Sequence, residues 1–124
     1  MEFAVGASAE VTLEVTGADT AQAFGSGDIP VLATPRVLAL LEEATVAAVP
    51  GDAATTTVGT HVTLDHLAAT PVGRTVTAAA RLVAVDGRTL TFDVVLRDGD
   101  TEAARGRVDR VVVDRAKFIA RAGG

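Results

Sequence analysis

The chain of 124 residues has no cysteine, no tryptophan and no tyrosine, and only four phenylalanines. Without cysteine there is no disulfide framework, no thiolate nucleophile and no Cys-ligated zinc site. With so few aromatics it lacks the stacking platforms on which proteins lay out nucleic-acid bases. The formal net charge of -5 denies it the broad basic face of a general nucleic-acid binder, while leaving room for a local basic pocket around an anionic ligand. No apolar run approaches the roughly 18 residues needed to cross a bilayer, so no membrane partner is expected. The N-terminus MEFAVGASAEV shows no basic region followed by a continuous apolar one, so no signal peptide is read and a cytoplasmic location is expected. Internal repeats and low-complexity tracts are missing too. What remains is one domain, 1–124, large enough for a real core.

One stretch is helical in period: Thr34 to Gly51, TPRVLALLEEATVAAVPG. Thr34 is placed to cap the helix, Pro35 suits its first position, and Pro50-Gly51 stops it. At about 100° per residue, Val37, Leu41, Ala44 and Ala48 fall on one line, with Leu38 and Thr45 beside it. Glu42 then lies at the edge of the apolar stripe, and Glu43 lies on the outer face with Arg36.

The rest reads as strand. Residues 10–16 alternate, and 17–33 form a connection with room for a helical turn at 19–24 and a mobile portion around Gly25-Ser26-Gly27. Residues 55–68 alternate up to a break at 69–73. Strands follow at 74–85, 88–97 and 102–114, joined by tight turns at Asp86-Gly87 and Asp98-Gly99. The final Ala-Gly-Gly is expected to fray. A strand, a long helix and four more strands predict an α+β hotdog fold, a curved antiparallel sheet wrapped around a central helix. One helix covers only part of such a sheet, so a homodimer is expected.

Three residues stand out against this pattern. His66 shares its strand face with Val58, Val62 and Leu64, whereas His61 falls among polar neighbours. His66 is either a core histidine with a satisfied hydrogen bond or a group exchanging protons near neutral pH. Asp65 points to the opposite face and is no partner for it. Arg110 lies between Val108 and Val112, where a charge requires an internal ion pair, a bulge or an anionic ligand. Glu42 is the third.

The segments TPRVLALLEEA from Thr34, VGTHVTLDHLAATPVG from Val58 and VDRVVVDRAKF from Val108 resemble the fluoroacetyl-CoA thioesterase-like family of hotdog acyl-CoA thioesterases. The family pattern has a Thr eight residues before a helical Glu, matched by Thr34 and Glu42. It has a Gly-Thr pair with a His seven residues after the Gly, matched by Gly59-Thr60 and His66, then T-A-A-T-P and a glycine, matched from Ala68-Ala69-Thr70-Pro71 to Gly73. An Arg shortly before Lys-Phe is matched by Arg110 and Lys117-Phe118. The resemblance covers about 90 residues, Ile29 to Phe118.

It implies hydrolysis of a small acyl-CoA to a carboxylate and free CoA, with no cofactor and no metal. Thr34, Glu42 and His66 would form the catalytic group, with Glu42 as nucleophile or as base toward water and His66 handling protons. The amide of Gly59 would serve the developing oxyanion, and Arg110 would contact Glu42, the acyl group or the ligand's anionic portion. In the fluoroacetyl-CoA enzyme an aromatic residue before a proline gates the acyl pocket. Ile29-Pro30 stands in a similar place here, and Glu43 replaces an aromatic after the helical Glu. The resemblance therefore carries the reaction class and leaves the acyl group open. The competing reading is a non-catalytic acyl-CoA or small-ligand binding domain on the same fold.

Overall fold

A computed structural model describes residues 3–123. Five strands make one antiparallel sheet: β1 (Ser8–Glu14), β2 (Thr55–His66), β3 (Thr75–Asp86), β4 (Thr89–Asp98) and β5 (Thr101–Asp114). Their order across the sheet is β1-β3-β4-β5-β2, so β1 and β2 are the edges. The tight turns fall one residue later than the Asp-Gly pairs: Gly87-Arg88 and Gly99-Asp100 are the loops between the paired residues Asp86 and Thr89 and Asp98 and Thr101, with Gly87 and Gly99 both at φ 59°, a positive value that glycine adopts without a Cβ penalty. Between β1 and the long helix the chain makes a 3₁₀ turn (Gly17–Asp19) and a short helix, α1 (Ala21–Phe24). The long helix is α2 (Thr34–Ala48), and a C-terminal α3 (Arg115–Ala122) follows β5 directly. The alternation of 102–114 gave no warning of α3, whose first turn is capped by Asp114 through the Lys117 amide.

The helix lies on the concave side of the sheet and packs mainly on β1 and β3. Val37, Leu40, Leu41, Ala44 and Thr45 are its buried residues, so the apolar stripe includes Leu40 and leaves Leu38 half-buried. Opposite them stand Ala78 and Ala80 of β3, small enough to admit the helix closely, flanked by Leu82, Leu90, Phe92, Leu96 and Val108. Deleting a side chain such as Leu41 from this layer costs about 2–5 kcal/mol.

The predicted cap is displaced by one residue. Ala33 is the N-cap, Thr34 is the first helical residue and Pro35 the second. The physical reason is that the Thr34 hydroxyl has a different partner, described below, and the entering chain is held by backbone instead. The Ala33 amide donates to the Asp19 carbonyl and the Ala21 amide to the Val31 carbonyl. Asp19 itself is only 8% exposed and accepts from Thr16 and from the Arg36 Nε at 3.0 Å. Burial pushes its carboxyl up, but the Thr16 amide and hydroxyl and the Arg36 guanidinium together hold it below the usual aspartate value.

A second departure lies in β2. Gly59 pairs with Arg110 and His61 with Asp109, so Thr60 is an extra residue without a register partner on β5, its hydroxyl donating to the Asp109 carbonyl at 3.3 Å. This β-bulge switches the alternation within the strand. Thr57 and Gly59 face the helix on one side of it, and Val62, Leu64 and His66 continue the same face on the other. Val58 and Thr60 therefore do not share the face of His66, as simple alternation requires.

Candidate active site

The helix and the edge strand β2 meet at two places. At the start of α2, the Thr34 hydroxyl lies 2.7 Å from His66 Nδ1, a hydrogen bond across the helix–strand junction. The His66 Nε2 is buried and has no hydrogen-bond partner among the described residues. Burial lowers the imidazole pKa below its ordinary value of 6.5, with the Ala68 backbone pulling the other way, so the ring is neutral at neutral pH. A cavity of about 200 Å³ opens here, lined by Val31, His66, Leu67, Ala68 and Ala69. Ile29 does not line it and is 56% exposed. The residue of that loop that reaches the cavity is Val31, tied down by its β-bridge to Pro71.

Two turns further along α2, Glu42 meets Arg110. Arg110 Nη1 donates to Glu42 Oε2 at 3.0 Å. The same guanidinium donates from Nε to the Thr57 hydroxyl at 2.9 Å and from Nη2 to the Thr57 carbonyl at 3.0 Å. Arg110 is 7% exposed, so the charge placed between two valines is an internal ion pair. Gly59 leaves the space that the carboxylate occupies. A Cβ there would stand 2.5 Å from Glu42 Oε2 and 3.4 Å from Arg110 Nη1. The Glu42 side chain keeps about a third of its surface exposed (34%), and its Oε1 has no hydrogen-bond partner among the described residues.

Within one chain these clusters are separate. The eight residues from Thr34 to Glu42 span about 12 Å of helix. The strand from Gly59 to His66 spans roughly 20 Å. The structure thus joins Thr34 with His66, and Glu42 with Gly59 and Arg110, and it joins neither pair to the other. Thr57 was missed in the sequence because nothing distinguishes it from the threonines at 55 and 56 until the bulge fixes which face it takes. His61 is exposed on the outer face opposite Asp109. No group of His, Asp and Glu among the described residues could hold a metal ion.

A family model, FlK: fluoroacetyl-CoA-specific thioesterase, matches residues 15–116. The chain belongs to this family. The fluoroacetyl-CoA thioesterase of Streptantibioticus cattleyicolor is 38% identical over 96 residues, spanning 73% of this chain and 67% of that one. A solved structure of the fluoroacetyl-CoA thioesterase FlK superposes with a TM-score of 0.89 at 31% identity, over 98% of this chain and 96% of that chain. A variant of FlK in complex with acetyl-CoA gives 0.90 at 30% identity, over 97% and 96%. A hot-dog-like protein from Thermanaerovibrio acidaminovorans, 21% identical, shares the fold with a TM-score of 0.87 over 97% and 90%. The family match spans α2 and the strands β2 to β5, and the fold is the hotdog fold.

Proposed function

We propose that the protein is an acyl-CoA thioesterase whose active site is completed by a second copy of the chain. The observation that carries this is the Glu42 carboxylate. It is held through one oxygen by Arg110, has its other oxygen unbonded, and lies beside a glycine on an edge strand that also bears His66. A carboxylate so placed is suited to attack a thioester carbonyl or to take a proton from water. In either case the sum is acyl-CoA plus water giving a carboxylic acid and free CoA thiol. The Gly59 amide serves the oxyanion that develops on the carbonyl oxygen. The neutral His66, steadied through Nδ1 by Thr34, keeps Nε2 for proton transfer.

The separation of the two clusters is the reason for a second copy. The outer side of β2 has no strand partner among the described residues. Antiparallel pairing of β2 with its copy about a two-fold axis at Thr63, with Thr60 bulged on both strands, sets Gly59 opposite the partner's His66. Each site then takes Glu42, Gly59 and Arg110 from one protomer and the Thr34–His66 pair from the other.

Thiol release from acyl-CoAs ranging from acetyl and fluoroacetyl to medium-chain and aryl, with wild type and Glu42→Gln in parallel, tests the reaction. Release that depends on Glu42 is expected. Binding of CoA ligands with no release from any of them would make the protein a binding domain instead. Mixing Glu42→Gln with His66→Ala tests the shared site. Random heterodimers restore about a quarter of wild-type activity if each site draws on both chains, and none if each chain carries its own. Acyl-CoA is thus the partner molecule, and a homodimer the working form.

A further inference from the structure

We infer that Thr57 is a positioning residue, one that keeps one oxygen of Glu42 free by holding the Arg110 guanidinium edge-on. The inference rests on the thioesterase reading above. A guanidinium can grip a carboxylate through two parallel N–H bonds, and the edge formed by Nε and Nη2 is one of its two forks. Here that edge is occupied. Nε donates to the Thr57 hydroxyl and Nη2 to the Thr57 carbonyl, so a single residue fills the whole fork. Only Nη1 reaches Glu42, and only at Oε2. Oε1 stays unbonded on a side chain that is a third exposed, while Arg110 and Thr57 are both buried.

The geometry separates two tasks that one arginine would otherwise confuse. A carboxylate gripped through both oxygens is neutralised and covered, which makes it a poor nucleophile and a poor base. A carboxylate held through one oxygen is aimed and still reactive. Thr57 sets the outcome because its two acceptors fix how the guanidinium is turned, so that Nη1 is the group presented to Glu42 rather than a fork lying square to both carboxylate oxygens. Its hydroxyl is the replaceable half, since the carbonyl belongs to the backbone. Removing the hydroxyl releases Nε, and the guanidinium can turn that edge toward Glu42.

Thr57→Val removes the hydroxyl at nearly constant shape, and Thr57→Ser keeps it. With the best acyl-CoA, Thr57→Val is expected to lower kcat about tenfold to a hundredfold at unchanged KM, and Thr57→Ser to restore it. A second readout does not use turnover. Carbodiimide coupling of an amine to Glu42, followed by peptide mass spectrometry with exposed Glu43 as internal standard, should fall several-fold in Thr57→Val and recover in Thr57→Ser. Should Thr57→Val not fold, Thr57→Ala removes the same hydroxyl and carries the same expectations. Unchanged kcat and unchanged labelling of Glu42 in the folded variant would overturn the inference, as would failure of Thr57→Ser to restore both. If wild type releases no thiol from any substrate, the thioesterase reading fails, and the labelling still decides whether Thr57 controls the exposure of Glu42.

Discussion

At its first turn, α2 meets the edge strand through an uncharged pair, Thr34 and His66. Two turns later it meets the neighbouring strand β5 through an ion pair, Glu42 and Arg110, alongside Gly59 of the edge strand. The first cluster is a hydroxyl hydrogen-bonded to an imidazole, in surroundings that disfavour the imidazolium. The second holds a full negative charge against a full positive one, with the glycine between strand and helix giving the carboxylate its room. The difference teaches how one helix can present two kinds of contact. On the proposed reading, proton handling sits where burial disfavours the imidazolium, and the carboxylate sits where an arginine holds one of its oxygens and leaves the other open.

The largest test of that contrast is Glu42→Gln. It preserves shape and removes the charge, and thiol release should fall by about 10⁴-fold while His66→Ala loses about 10²-fold. Equal losses would mean that the two ends do not divide the work. Next is Gly59→Ala. The added Cβ must displace the Glu42 carboxylate, so turnover should drop roughly 10- to 100-fold with circular dichroism unchanged. An active Gly59→Ala enzyme would show that the carboxylate need not sit where it does.

The third test is pH. Because burial lowers the His66 pKa, the folded chain binds fewer protons at this residue than the unfolded chain just below pH 6.5. Stability from this residue is therefore fully present above about 6.5 and is lost as pH falls through the lower folded value. Thermal unfolding of wild type and His66→Gln between pH 7.5 and 5 should show the wild type losing more on acidification. Parallel curves would remove the depressed histidine. Rates should likewise hold below pH 6.5 before the acid limb sets in. The smallest effect is expected at the latch beneath Thr34. Asp19→Asn weakens the partly exposed pair with Arg36, costing about 1–2 kcal/mol and roughly 3–10 °C in Tm. Thiol release by the folded fraction should change little. A large loss of turnover would tie the entering loop directly to the chemistry.

Much of this was legible in the chain, for definite reasons. The helix announced itself because Pro35 and Pro50-Gly51 bracket a 3.6-residue period, and the hairpins because Gly87 and Gly99 supply the positive φ a two-residue turn needs. Glu42, His66 and Arg110 were conspicuous because each is polar at a position whose neighbours are apolar. The family motif matched them residue by residue. Thr34 looked like a cap because threonine usually serves its own backbone there, and only the fold shows a histidine competing for the hydroxyl. Ile29 and Val31 could not be told apart as cavity residues, since two aliphatic side chains in a loop differ only in where the loop is tied. The bulge was invisible because Thr60 is an ordinary strand residue, and Thr57 was hidden behind it.

The unpaired Thr60 has a consequence for how this strand can change. Side chains along β2 are read two by two, like letters in a reading frame, and Thr60 is a single inserted letter. Upstream of it Thr57 and Gly59 are in frame with the helix, and downstream Val62, Leu64 and His66 are. Removing that one residue would leave every remaining side chain chemically intact and still strand-compatible, yet one half of the strand would face the wrong way. Either the histidine or the glycine would turn to solvent. Substitutions in β2 are thus free to drift one at a time, while its length is not.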